Sequence, residues 1–278
     1  MASHGRQADW FAVRNRQHFA WDDDVWELYD TTKDWSQAHD LAKQMPEKVA
    51  EMKRLFDLEA SKYNVFPLDD RKAERTNPDL AGRPLVVRGS TQLLFPGMRR
   101  LGENTAINTK NKSHAVTAEL EIPSSGVKGV IAAHGGHMGG WSLYAHEGRL
   151  KYHYNFVGLL HFDVTAGSTL PPGTHQVRME FSYDGGGLGK GAGIALYVDG
   201  AKVGEGRVDR THAFLFSMDE TMDIGCEVGE PVSPDYGPRG NAFSGTIKWV
   251  QIDIDAAAKD ADHMLGAEER FQLAMARQ

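Results

Sequence analysis

Chemistry in this sequence would have to come from four groups of residues. The first is the glycine-rich run Asp184-Gly185-Gly186-Gly187-Leu188-Gly189-Lys190-Gly191. A phosphate-binding loop needs Gly five positions before its Gly-Lys pair, Ser or Thr after it, and a helix N-terminus behind it. Here Asp184 and Gly191 hold those two positions and a strand pattern follows, so the run reads as a flexible strand-to-strand connection. The second group is histidine: His134 and His137 in a His-Gly-Gly-His run, then His153 and His161. Residues i and i+3 of a strand face opposite ways, so the first pair needs a loop to converge on zinc, and no carboxylate or Cys nearby completes a set. Scattered surface and turn histidines are the alternative. Third come Cys226, in a strand-like setting that suits a small buried hydrophobe, and the acidic trio Asp219, Glu220 and Asp223. That trio has the oxygen ligands a calcium ion prefers, or is a solvated acidic turn. No Gly-x-Ser-x-Gly elbow is present. Last are Trp141, Tyr144, Tyr152 and Tyr154, a carbohydrate platform if exposed; alternation sets Tyr144 opposite Trp141 and makes Tyr152, Tyr154 and Phe156 read as core.

The elements that would position these residues fall into three zones. Residues 1 to about 85 open with Trp10, Phe11, Trp21 and Trp26 around the acidic run Asp22–Asp24. A short strand is expected over 26–29, then a helix from Pro46, whose missing N–H suits a first helical position. Val49, Met52, Phe56 and Tyr63 recur at helical spacing, Asn64 and Pro67 end the helix, and 77–84 read as a linker. Four aromatic residues precede any element that could cover them, so this zone is expected to pack against something else. From about 86 to 255 the pattern has period two: Val116, Ala118, Leu120, Ile122; Trp141, Leu143, Ala145; Leu150, Tyr152, Tyr154, Phe156; Val177, Met179, Phe181, Tyr183; Val250, Ile252, Ile254. Turns at Glu147-Gly148 and Asp199-Gly200, the latter a type I′ hairpin signal, and the lack of helical periods between strands argue for an antiparallel sandwich or barrel. Residues 256–278 read as a tail with a short helix over 267–276.

Composition narrows the function classes. With 31 Lys+Arg against 38 Asp+Glu the net charge is −7, which argues against a nucleic-acid binder. One Cys excludes an intrachain disulfide and a Cys-rich zinc site. No apolar run approaches the ~18–20 residues that span a bilayer, and the first 25 residues carry no apolar leader core. The expectation is a cytoplasmic protein without membrane or nucleic-acid partners. Gly is high, 30 of 278 residues, as suits a fold with many tight turns.

Several segments carry a family likeness. Residues 24–30 (DVWELYD), 34–42 (DWSQAHDLA) and the Pro46 helix ending in 63–71 (YNVFPLDDR) resemble the C-terminal part of bacterial arylsulfatases, alkaline-phosphatase-like sulfuric ester hydrolases. Residues 108–114 (NTKNKSH) and 183–191 (YDGGGLGKG) resemble the C-terminal extension of a bacterial subgroup, similar to laminin-G and concanavalin-type jelly rolls. The resemblance implies a mainly β chain with an N-terminal α+β segment. Residues 1–85 are then a remnant of the sulfatase C-terminal subdomain, 86–255 an antiparallel jelly-roll β-sandwich, and 256–278 a helical tail. Sulfatases of this kind make formylglycine from the Cys or Ser of Cys/Ser-x-Pro-x-Arg, whereas Cys226 is followed by Glu-Val-Gly-Glu. The family's calcium and formylglycine sites belong to a preceding portion absent here, so no catalytic, cofactor-binding or metal residue carries over and no cofactor is expected in this chain. The resemblance implies an accessory or structural piece of an arylsulfatase, inactive alone, partnered by a separately encoded sulfatase core or a second copy. The alternative is a lectin-like β-sandwich that binds a glycan or sulfated polymer.

Overall fold

The computed structural model describes residues 4–7, 10–15, 25–66, 68, 73–82 and 84–258. The helix expected over 267–276 and the side chains of Trp10, Phe11 and Trp21 lie outside the described residues. The chain forms two compact units, Met1–Lys72 and Ala73–Gln278.

The first unit pairs three antiparallel strands, β1 (His4–Gln7), β2 (Trp10–Asn15) and β3 (Val25–Asp30), and adds helix α1 (Pro46–Lys62). Pro46 occupies the first turn of α1 with Glu47 beside it, where a missing N–H costs nothing and a carboxylate faces the positive end of the helix dipole. Met52 is buried against Trp26 and Leu28, with Leu41, Ala42 and Val49 packed around them. Asp40 fixes this arrangement by accepting from the Leu28 N–H at 2.9 Å. Trp26 is therefore covered from within the unit, and to that extent the expectation of an external cover is corrected. Tyr63 is not on the apolar face of the helix; it lies at the C-cap, 64% exposed.

The second unit is a β-sandwich. A six-stranded antiparallel sheet runs in the order β12 (Ala201–Val208), β11 (Ala192–Val198), β10 (Gly173–Tyr183), β5 (His114–Ile122), β14 (Thr246–Ile254), β4 (Thr91–Leu94). A five-stranded antiparallel sheet runs β13 (Met222–Ile224), β6 (Gly129–Gly136), β7 (Gly139–His146), β8 (Arg149–Phe156), β9 (Leu160–Thr169). The antiparallel sandwich read from the period-two strands is the architecture found. Its core joins Val116, Leu120, Val177, Met179 and Ile252 of one sheet to Trp141, Leu143, Leu150, Tyr152 and Tyr154 of the other. Asp199 and Gly200 both have positive φ, 49° and 79°, as the type I′ turn requires.

Residues 77–82 are not a linker. Helix α2 (Pro78–Ala81) is capped by Asn77, whose side chain accepts from the Asp79 N–H and donates to the Ala213 carbonyl at 2.9 Å. Asn108 donates to both Asn77 Oδ1 and Asp79 Oδ2, so this turn is fastened to the sandwich by amide chemistry that a Pro/Gly count does not reveal. Among the described residues no helix is long and apolar enough to cross a membrane.

Candidate functional site

Alternation along β7 and β8 sends one set of side chains into the sandwich and the other outward. Trp141, Tyr152 and Tyr154 go inward and are at most 2% exposed, so they form no sugar platform. Tyr144 faces the other way but is also fully buried, its ring 5.1 Å from that of Tyr236. The cover comes from the segment after β13, residues 226–245. Ala242 bridges in parallel to Val130, and the Val130 N–H donates to the Asn241 carbonyl at 2.8 Å. A Cβ on Gly129 would stand 2.2 Å from the Ala242 oxygen, so only glycine lets this segment settle onto β6.

Where the cover stops, the outward face becomes a ladder of ionisable groups. His153 Nε2 is 3.0 Å from His161 Nδ1, and His153 Nδ1 is 2.9 Å from Asp163 Oδ1. Lys151 reaches Asp163 at 3.0 Å and Asp235 at 2.5 Å, and the Tyr144 hydroxyl donates to Asp235 at 2.6 Å. Pairing of His153 with Asp163 and of Lys151 with Tyr144 across neighbouring strands sets this order. Burial alone would raise the Asp163 carboxyl, but hydrogen bonds from His153 and Lys151 outweigh it and bring it down to about 2. Burial lowers His161, and the neighbouring His153 ring adds to that. Burial and then Asp235 push the Tyr144 phenol well above its ordinary value, so it stays a donor.

Beyond Asp235 the ladder opens on a groove of ≈ 1070 Å³ lined by Ser124, Lys128, His146, Thr169, Asp235, Tyr236 and Asn241. Three of these groups, Asp235, Tyr236 and Asn241, are held by neighbouring side chains and backbone. Lys151 and Tyr144 fix Asp235; the Tyr236 hydroxyl lies 2.7 Å from Ser142 Oγ and 2.5 Å from Glu227 Oε2. Asn241 Nδ2 donates to the Glu227 and Gly237 carbonyls at 2.9 and 3.1 Å. Glu227 is the buried post of this arrangement: burial raises its carboxyl to about 7 despite hydrogen bonds from Tyr236 and the Val232 N–H.

The other candidates resolve differently. His134 points inward and lies 3.4 Å from Glu103, which also pairs with buried Lys110; His137 sits on an exposed turn. Of the four histidines only His153 and His161 meet, and among the described residues no three His, Cys, Asp or Glu converge on a metal position. The acidic trio diverges. Asp219 bonds Ser217, Glu220 accepts from the Glu230 N–H, and Asp223, 1% exposed, accepts from the N–H groups of Arg100 and Val228. Cys226 is buried, and burial pushes its thiol up, away from the thiolate a nucleophile needs. The glycine-rich run leads into β11 rather than a helix, and it is not a loose connection: Asn111, Tyr183 and Thr211 bind its backbone. Lys151, Asp163, Asp235, Tyr236 and Glu227 were not candidates in the sequence. The available signal was Lys151, His153 and Asn155 alternating against Tyr152 and Tyr154; for 226–245 no periodicity exists to read.

No protein-family model and no curated protein matches the sequence, so the arylsulfatase resemblance gains no support there. Solved structures do align with the sandwich. The CBM40 module of the Ruminococcus gnavus IT-sialidase, bound to α2,3-sialyllactose, is 14% identical, with 66% of this chain and 98% of that chain covered and a TM-score of 0.38. The LG4–5 domains of the mouse laminin α1 chain are 20% identical over 64% of this chain and 42% of theirs, TM-score 0.36. The heptameric SAP-like pentraxin of Limulus polyphemus is 14% identical over 59% and 73%, TM-score 0.32. These likenesses concern the sandwich architecture alone.

Proposed function

We propose that the chain is a lectin-like binding module whose sandwich takes a saccharide in the groove between the β7–β8 turn and the covering segment. The observation that carries this is the polar lining of a ≈ 1070 Å³ groove, hydroxyls, an amide, His146, Lys128 and Asp235 around a half-buried tyrosine, of which Asp235, Tyr236 and Asn241 are held in place. Saccharides present closely spaced hydroxyls that both donate and accept, and a lining of mixed donors and acceptors matches them. Groups already held by Lys151, Tyr144, Ser142 and Glu227 lose little freedom on binding, which keeps more of each contact as affinity. The ladder residues bind one another, so this face is arranged to recognise rather than to attack. An accessory role beside a sulfatase core draws on no feature of this geometry. The test is a printed array of neutral oligosaccharides probed with the labelled chain. Retention on a defined saccharide class, reduced at least tenfold by His146→Ala, supports the reading; no retention on any spot contradicts it.

A further inference from the structure

At the end of the sandwich away from that groove, a second cavity of ≈ 760 Å³ is walled by the glycine-rich run and by residues 207–215. We propose that it is a separate site for an oxoanion carried on a saccharide, with Lys190 and Arg210 as the anion-binding pair. The saccharide body rests on the reading above; the anionic group rests on this end of the molecule alone.

Three features support it. The first is the charge left over. Arg207 is engaged by both acidic neighbours, its Nη1 3.1 Å from Asp184 and its Nε 3.3 Å from Asp209. Lys190 and Arg210, both exposed, have no side-chain partner among the described residues. Three cations against two carboxylates leave one net positive charge on the wall of this cavity, in a protein whose net charge is −7.

The second is that Lys190 is fixed at its root. Its N–H donates to the Tyr183 hydroxyl at 2.9 Å, and its carbonyl accepts from Thr211 Oγ1 at 2.7 Å. Tyr183 in turn donates to the Gly187 carbonyl at 2.7 Å, and Asn111 accepts from the Gly189 N–H at 2.9 Å. A run with four positive-φ glycines (Gly185, Gly186, Gly187 and Gly189) would be mobile without these ties; with them it is a shaped wall. Fixing the backbone of a long cationic side chain removes part of the entropy it would lose on gripping an anion.

The third is the remaining lining. Leu188, 45% exposed, and half-buried Phe214 and Leu215 stand beside the cations. An apolar wall next to charge suits a ligand with an oxoanion on a ring that also presents C–H surface, and it lowers the local dielectric around the ion pair. Sulfate monoesters and free carboxylates on a sugar share this chemistry.

The experiment compares retention of the full chain on immobilised dextran sulfate, carboxymethyl-dextran and unsubstituted dextran of matched length. The expected result is retention on one or both anionic polymers, weakened at least tenfold by Lys190→Ala/Arg210→Ala and restored to within about threefold by Lys190→Arg/Arg210→Lys. Which anionic polymer is retained identifies the oxoanion. No retention on either, or retention that the double variant leaves intact, overturns the site. Both outcomes are independent of the neutral array, so this site and the groove can fail separately.

Discussion

The two faces of the five-stranded sheet are made by alternate residues of the same strands, yet they are held by different physics. Inward, Trp141, Leu143, Tyr152 and Tyr154 lose almost all solvent contact against the opposing sheet. Outward, Ser142, Tyr144 and Asn155 are just as buried, but under a covering segment with no regular structure, and His153 beside His161 and Asp163, through hydrogen bonds that must each be satisfied. Burial is thus the same on both sides while tolerance is not. The inner face depends on shape and apolar area, the outer face on matched donors and acceptors. A face of the second kind can surround a polar ligand; the first cannot.

The contrast is broken most severely from inside. Trp141→Ala should cost about 3–5 kcal/mol, because it removes the largest fully buried side chain among the described residues and leaves a cavity between the sheets. Chemical denaturation monitored by circular dichroism reads this as a lowered midpoint. Cutting the buried Glu103–Lys110 pair with Lys110→Ala should cost about 3 kcal/mol, because the buried Glu103 carboxylate keeps only His134 of its two partners. Glu103 is normally held down, to about 2: burial opposes ionisation, but the charges of His134 and Lys110 outweigh it.

On the outer face the effects are smaller and more specific. Tyr236→Phe should cost about 1–3 kcal/mol, since Glu227 and Ser142 both lose a buried partner while the ring remains. Glu227 also gives the outer face a pH dependence of definite sign. Its folded carboxyl is raised from 4.5 to about 7, so the folded state holds its proton more tightly than the unfolded chain. Its contribution is therefore fully present below pH 4.5 and is lost as pH rises towards 7 and beyond. Thermal melts across this range should show Glu227→Gln flattening that decline; an unchanged slope would place the titration elsewhere.

How much of this was legible follows from the same contrast. The inner face announces itself, because alternating Trp141-Leu143-Ala145 and Leu150-Tyr152-Tyr154 can only be one side of a sheet. The type I′ turn at Asp199-Gly200 and the Pro46 start of α1 are equally local signals. The outer face depends on contacts distant in sequence: Tyr144 and Lys151 with Asp235, Ser142 with Tyr236. None leaves a period, and the irregular cover over 226–245 is rich in Pro, Ser and Gly. The glycine-rich run misleads for a related reason. Its composition signals freedom, whereas Asn111, Tyr183 and Thr211 remove it.

The account stands on the outer face acting as a recognition surface, and Asp235 is the residue that joins its ladder to its groove. Asp235→Ala should change stability by less than about 1 kcal/mol, since Lys151 retains Asp163 and the buried Tyr144 hydroxyl retains Ser233 Oγ at 3.0 Å. The direct measurement is a calorimetric titration, into wild type and Asp235→Ala, of the neutral saccharide most strongly retained on the array. The account predicts a saturable heat in the wild type, affinity at least tenfold weaker in the variant, and an unchanged melting profile. Equal affinity in the two proteins would contradict it.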